Sequence, residues 1–341
     1  MGVIEMEKMT YAGAGVDINA GLQLKKTIGQ MAQPTFGPEV LRGIGFFGGL
    51  YELKNYKQPI LVSHVDGVGT KMKLAIALDK HDTIGMDIVN HLVNDIFVGG
   101  ATPLFFQDYI AMGKLNSTRV EAIIGGLVKA CQEVGCALIG GETPEMPGIY
   151  AENDYDLVGF IVGAVEKDEM KLGDNLKAGD VILGLPSSGA HTNGYSLIRQ
   201  VFGTEVSALN IYYPELGKTL GEALLEPHRC YYNMLKPLLP SIKAMAHITG
   251  GSFYKNIPRV VPEGLGALIE SQSWIVPPLF RLIQKAGNVD ENEMYHVFNM
   301  GLGMVVFCSK VNVDKLLRAL PEAKVIGQVI REQVDARVVI K

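Results

Sequence analysis

Residues 60–71 read ILVSHVDGVGTK, an apolar run that gives way to a glycine-punctuated turn and then to a basic residue. Ile60 to Val62, closed by the turn-forming Asp66-Gly67 pair, predict a buried strand running into a loop, and DGVGTK then opens a helix. A strand that ends in glycines just before a helix is the repeating unit of layered α/β architecture.

The same order recurs outward from this segment. Thr83 can cap a helix in which Ile84, Ile88, Leu92 and Ile96 fall at intervals of four, with Val89, Val93 and Phe97 alongside, ending at Gly99-Gly100. Leu104 to Ile110 reads as strand and Ser117 to Val134 as helix, with Ser117 or Thr118 as its cap. Cys136 to Ile139 reads as a strand ending in Gly140-Gly141, and Asp156 to Val165 as another. The charged, turn-rich EKDEMKLGDNLKAG at 166–179 is the clearest boundary, giving domains of 1–168 and 169–341. Past it, Val181 to Leu185 runs as strand into PSSGAHTNGYSL and a helix, and apolar runs follow at 245–248, 265–270, 302–308 and 324–330. Two α/β (or α+β) domains facing each other over a cleft are expected. Up to about Tyr56, glycines with Pro34 and Pro38 break any period, and RGIGFFGG at 42–49 reads as a loop or flap.

The 341-residue length fits two domains, and a composition of 48% hydrophobic and 20% charged residues excludes disorder. A net charge of −5 without a basic stripe argues against nucleic acid or anionic membrane as partner. Four cysteines match no zinc pattern or disulfide framework and read as reduced thiols. The opening MGVIEMEKMTYAGAG lacks a basic region followed by an apolar run, so a cytoplasmic location is expected. Glycine is the outlier, at 40 residues where an average near 7% gives about 24.

Acids among those glycines suggest metal and phosphate chemistry. Asp66, Asp95 in HLVND, and Glu142 with Glu145 in GGETPEMPG each sit near the end of an element beside a small residue. Such an acid can approach a phosphate-bound Mg²⁺ unobstructed, although turn capping is the commoner use of an Asp-Gly pair. Lys71 would offer a point charge to phosphate, with Gly67 and Gly69 letting backbone amides converge; a solvated lysine at a helix start is the alternative. There is no GxxxxGK(S/T), and the GxGxxG at Gly43 to Gly48 has no clear preceding strand. Asp87, His91 and Asp95 line one helical stripe, which either ligates a transition metal or is a polar edge from which Asp95 alone reaches the site. Ser187, Ser188, Gly189, His191, Asn193 and Gly194, and likewise Thr249, Gly250, Gly251 and Ser252, place hydroxyls and free amides after strands, the recipe for holding phosphate.

Taken in order, AGVDI (14–18), DGVGTK, VND, PLFF (103–106), GGETPEMPGIY, SSGAHTNGYSL, TGGSFYKNIPR and FNMGLGMVV resemble the phosphoribosylformylglycinamidine cyclo-ligase family, the aminoimidazole ribonucleotide synthetases of purine biosynthesis. The resemblance spans nearly the whole chain. DGVGTK and GGET recur in a wider superfamily of kinases and selenophosphate synthetases, whereas SSGxHxNGYSL and NIPR point to the cyclo-ligases.

The resemblance implies a homodimer whose N-terminal sheets join into a barrel, a C-terminal α/β domain, and ATP with Mg²⁺ and formylglycinamidine ribonucleotide in the cleft. It implies Asp66, Asp95 and Glu142 as Mg²⁺ ligands. For ATP it implies Asp17, Gly45, Gly48, Gly67, Gly69, Thr70, Lys71, Asn94, Gly140, Gly141 and Glu145. Substrate would meet Ser187, Ser188, Gly189, His191, Asn193, Thr249, Gly250 and Gly251. Asp66, Lys71 and His191 would take part in catalysis, His191 by proton transfer, by contact with the formyl oxygen or by contact with phosphate. The chain departs from the family pattern at Ala12, at His64-Val65 in SHVDGVGTK, and at Pro144, Thr192, Ser252 and Lys255. A kinase-type relative acting on another substrate and a non-catalytic nucleotide-binding subunit are the competing functions.

Overall fold

Asp66 lies near the end of an edge strand, Pro59–Gly67, in a four-stranded sheet continued by Tyr155–Glu166, Thr102–Met112 and Ala137–Glu142. The computed structural model describes residues 18–331 and 336–341. The first three strands are antiparallel and the last pair is parallel. Alternate side chains, among them Phe106, Ile110, Leu157 and Ile161, are buried on one face. Helices Asp82–Phe97 and Ser117–Val134 cover that face. The two helices touch backbone to backbone, since a Cβ on Gly85 would stand 2.1 Å from the Ile123 carbonyl and one on Gly126 2.3 Å from that of Asp82.

The opposite face of the sheet is only partly covered, least of all at its edge strand, which is therefore not the buried strand expected: Leu61 is 63% and Val65 58% exposed. Two caps also differ. The Ser117–Val134 helix is capped by Asn116, whose side chain accepts from the Arg119 amide at 3.0 Å, because Asn116 is the last extended residue before it. The preceding helix begins at Asp82, which puts Thr83 inside its first turn with a buried, unpartnered hydroxyl.

The second half is built on a six-stranded sheet in the order Ala244–His247, Leu302–Cys308, Val181–Pro186, Lys324–Arg331, Leu265–Ile269, Val338–Ile340. Only the last pair is parallel. The architecture is therefore mixed α/β with two sheets, as expected. Loops 187–194 and 248–251 follow the strands that end at Pro186 and His247. Residues 43–49 link two short paired strands, Val40–Arg42 and Leu50–Tyr51, and carry the exposed Phe46 and Phe47.

Candidate functional site

The Asp82–Phe97 helix is apolar almost all round and is buried between the first sheet and the second half, so its polar residues must find partners across the seam. They do. Asn90 donates to the His228 carbonyl at 2.7 Å and Asn94 to the Arg229 carbonyl at 2.8 Å. The Tyr231 amide donates back to Asn94 at 2.9 Å and the His228 amide to Asp87 at 2.7 Å. Lys71, fully buried, donates to Asp87 Oδ1 at 2.9 Å and to the Glu226 carbonyl at 2.8 Å. Burial pulls its ammonium below the usual lysine range against the pull of Asp87.

Beside this seam opens a cavity of about 460 Å³ lined by His64, Asp66, His91, Asp95, Asn193, His247, Thr249, Gly250, Asn256 and Arg259, among others. Asp95 is its hub: His247 Nδ1 lies 2.8 Å from Oδ1, and His91 Nε2 and His64 Nε2 lie 3.0 and 3.3 Å from Oδ2. Burial alone would raise the Asp95 carboxyl, but the three imidazoles outweigh it and hold it well below the carboxylate range. Burial likewise opposes the charge on His91, yet Asp95, Asp66 and Asp87 raise it above the usual histidine value. Asp66 Oδ2 stands 3.6 Å from His91 Nε2, while its other oxygen accepts from the Gly67 amide.

A second cavity, about 260 Å³, lies between the Ile18–Ala32 helix and the Gly140-Gly141 end of the sheet. Asp108, Glu142, Thr143 and Lys25 contribute its polar groups. Burial, reinforced by Glu142, pushes Asp108 up to about 7. Gly141 makes room for it, since a Cβ there would lie 2.5 Å from Asp108 Oδ1.

The predicted residues thus sort into three groups. Asp66, Asp95, Asn193, Thr249 and Gly250 share the first cavity, and Gly140, Gly141 and Glu142 share the second. The three acids expected on one Mg²⁺ do not meet within one chain: Asp66, Gly159, Asp108 and Gly141 occupy one cross-strand row, so Glu142 stands about three strand spacings, roughly 14 Å, from Asp66. A third group is committed to structure. Lys71 and Asn94 serve the seam, Ser187 donates to Asn299, Ser188 to the Pro227 carbonyl, and Glu145 accepts from the Leu115 amide. His191 is 1% exposed, its ring stacked on His228 with centroids 3.9 Å apart. Burial first, then His247 and Lys71, keeps it well below the usual histidine value, so it stays neutral behind the cavity wall.

Other expected contacts fall outside these cavities. Thr70 faces Ser196 at 3.3 Å; Gly67 and Gly69 flank the end of the edge strand; Gly189 and Gly251 shape loops beside the first cavity. Gly45 lines a separate groove beside the Ile18–Ala32 helix, and Gly48 belongs to the same loop. Asp17 and Ala12 lie outside the described residues. Sequence reasoning missed Asp108, His64, His228, His247 and Arg259. Asp108 had a signal, because it shares the inward register of the apolar Phe106 and Ile110.

Residues 50–165 match the family described as "AIR synthase related protein, N-terminal domain", and residues 177–340 match its C-terminal counterpart. A phosphoribosylformylglycinamidine cyclo-ligase of Thermoanaerobacter sp. is 50% identical over 331 residues, covering 95% of this chain and 98% of its own. One from Desulfitobacterium hafniense is 52% identical over 318 residues, covering 92% and 93%. Among solved structures, hydrogenase maturation protein HypE in complex with ATP superposes with a TM-score of 0.68 at 16% identity, over 94% of this chain and 91% of that one. A thiamine-monophosphate kinase from Stenotrophomonas maltophilia gives 0.64 at 15% identity, over 93% and 95%. At such identities the likeness is one of fold.

Proposed function

The chain belongs to the phosphoribosylformylglycinamidine cyclo-ligase family, and on that footing we propose that it closes formylglycinamidine ribonucleotide to 5-aminoimidazole ribonucleotide, consuming ATP and releasing ADP and phosphate, in purine biosynthesis. The observation that carries this reading is a pair of cavities with different chemistry reached from one row of the first sheet.

The smaller cavity takes the nucleotide. Asp108 and Glu142 present only oxygens there, which suits Mg²⁺, and together they would hold the ion that neutralises charge on the phosphates. This replaces the expected Asp66–Asp95–Glu142 set, because the three imidazoles crowding Asp95 are poor company for Mg²⁺. The larger cavity takes the ribonucleotide, with Arg259, Asn193, Thr249 and the Gly250 backbone facing its phosphate. The formyl oxygen is a poor leaving group until ATP phosphorylates it; the amidine nitrogen then attacks that carbon, phosphate departs and the ring closes. Such chemistry asks the protein to position reactants and neutralise charge, without a covalent nucleophile.

The partly covered sheet face, with Leu61 and Val65 exposed and Tyr109 partly so, supports a homodimer closed sheet to sheet, and the division at 168/169 separates the two sheets. No helix among the described residues is long and apolar enough to cross a membrane, in keeping with a cytoplasmic enzyme. ADP release measured with and without formylglycinamidine ribonucleotide tests the function: turnover only with the ribonucleotide is expected, and nucleotide binding without substrate-dependent turnover would overturn it.

A further inference from the structure

One stretch of chain in the second half supplies a wall of the larger cavity, since Thr249, Gly250, Asn256, Arg259 and Val260 all line it. Local bonds hold that stretch in one shape. The Ser252 amide donates to the Thr249 carbonyl at 2.9 Å, and Asn256 Nδ2 donates to the Ser252 carbonyl at 2.9 Å. The fully buried Ser252 hydroxyl donates to the Phe298 carbonyl and pins the wall to the body of the domain.

Lys255 leaves this wall four positions before Arg259, a spacing that puts the two cations on one side of the helical turns at 252–259. Helical side chains lean toward the preceding turn, and Lys255 does so over Gly251: a Cβ there would lie 2.5 Å from Lys255 Cδ and 2.8 Å from its Cβ and Cγ. Its aliphatic stem therefore lies across Gly251, the chain neighbour of the cavity-lining Gly250, and the residue is exposed. Among the described residues, neither Lys255 nor Arg259 is tied to an acid.

Charge decides what such a pair is for. A phosphate monoester carries about −1.5 to −2 near neutral pH. Among the described residues, Arg259 is the only lysine or arginine lining the cavity, and Asp66 and Asp95 line it with the opposite sign. One guanidinium leaves that anion under-neutralised and facing two carboxylates.

We propose that Lys255 is a second cation for the phosphate of the ribonucleotide, acting beside Arg259 and setting the affinity for that substrate. This rests on the assignment of the ribonucleotide to the larger cavity. Position 255 is one of those at which the sequence departs from the family pattern, so the contact belongs to this chain and not to every member. The phosphate is unchanged by the ring closure, so the contact is the same in ground state and transition state and acts on KM, not on kcat.

The full-length enzyme is tested in two ways: steady-state kinetics with formylglycinamidine ribonucleotide and ATP, and calorimetric binding of ribose 5-phosphate without nucleotide. Lys255→Ala should raise the ribonucleotide KM about 10-fold and weaken ribose 5-phosphate by a similar factor, with kcat and the KM for ATP unchanged. Lys255→Glu, which sets a carboxylate against the phosphate, should do so about 100-fold, and Lys255→Arg should keep near-wild-type values. Lys285→Ala, which removes an exposed lysine from the Pro278–Gly287 helix, controls for net charge and should change neither. An equal effect of Lys285→Ala, or a loss in Lys255→Ala confined to kcat, overturns the contact. Wild-type turnover with Lys255 silent in both assays overturns the contact alone, whereas Lys255-dependent binding of ribose 5-phosphate without any turnover overturns the cyclo-ligase reading and leaves the contact standing.

Discussion

Asp66 and Asp108 stand in the same cross-strand row, separated only by Gly159 on the strand between them. Both belong to the inward-facing register of their strands, and the glycine between them adds no side chain of its own to that face. A Cβ on Gly159 would come within 2.4 Å of Phe106 Cζ and 2.9 Å of Ile88 Cγ1, so Phe106 and Ile88 fill the space between the two acids and only glycine fits there.

Asp108 makes stability fall with pH. Its folded value, about 7, is above the ordinary 3.8, so the folded state holds a proton that the unfolded state has released between those limits. The contribution is fully present below about pH 4 and is lost as pH rises to about 7, roughly 4 kcal/mol at 1.36 kcal/mol per unit. Urea midpoints at pH 5 and pH 8 should diverge in the wild type and converge in Asp108→Asn. An unchanged pH dependence in the variant would count against the buried, protonated carboxyl.

Lys71→Met should destabilise the chain by about 3–5 kcal/mol, because it leaves Asp87 buried without its counter-ion. Adding Asp87→Leu should recover much of that loss. Denaturant unfolding of the single and double variants measures both, and a stable single variant with selectively weakened ATP binding would instead return Lys71 to the phosphate role expected from sequence.

Asp66→Asn should lower kcat/KM by about 100-fold or more while leaving the unfolding midpoint nearly unchanged, since its side chain is 49% exposed and contributes little to the core. Steady-state kinetics alongside thermal unfolding separates the two effects. Wild-type turnover would remove Asp66 from the reaction.

Val65→Glu, combined with Leu61→Glu, puts two carboxylates on the partly covered sheet face. If the proposed dimer closes through this face, sedimentation should show the wild type as a dimer and the variant as a monomer, because a charge buried without a partner at an interface costs several kcal/mol. A dimer that persists would mean that another surface mediates association.

The strands and long helices were legible because their periods are local: the 117–134 helix matches to the residue, and the strand at 302–308 likewise. The glycine loops were legible too, and they brought Asp66, Asp95, Asn193, Thr249 and Gly250 into one cavity. What stayed hidden depends on contacts far apart in sequence. Lys71 looks like a phosphate ligand until Asp87, 16 positions away, and Glu226, 155 away, take its ammonium. Asn94 reads as an ATP contact until the Arg229 carbonyl and the Tyr231 amide claim it, and His191 as a substrate contact until burial against His228 takes its ring out of the cavity. His228 sits in EPHRCYY, which carries no recognisable motif, so only the fold could bring it beside His247.

The Asp82–Phe97 helix is stitched to residues 228–231 by four hydrogen bonds that leave no slack between the halves. Rocking one half away from the other would strand buried donors and acceptors, at about 1–3 kcal/mol for each group left unsatisfied. The seam thus resists hinging of one half on the other, while the exposed 43–49 loop, whose Ile44 lines the smaller cavity, lies outside it. In hydrogen exchange the amides of His228 and Tyr231, locked onto Asp87 and Asn94, should be released only by global unfolding, whereas those of the loop exchange freely.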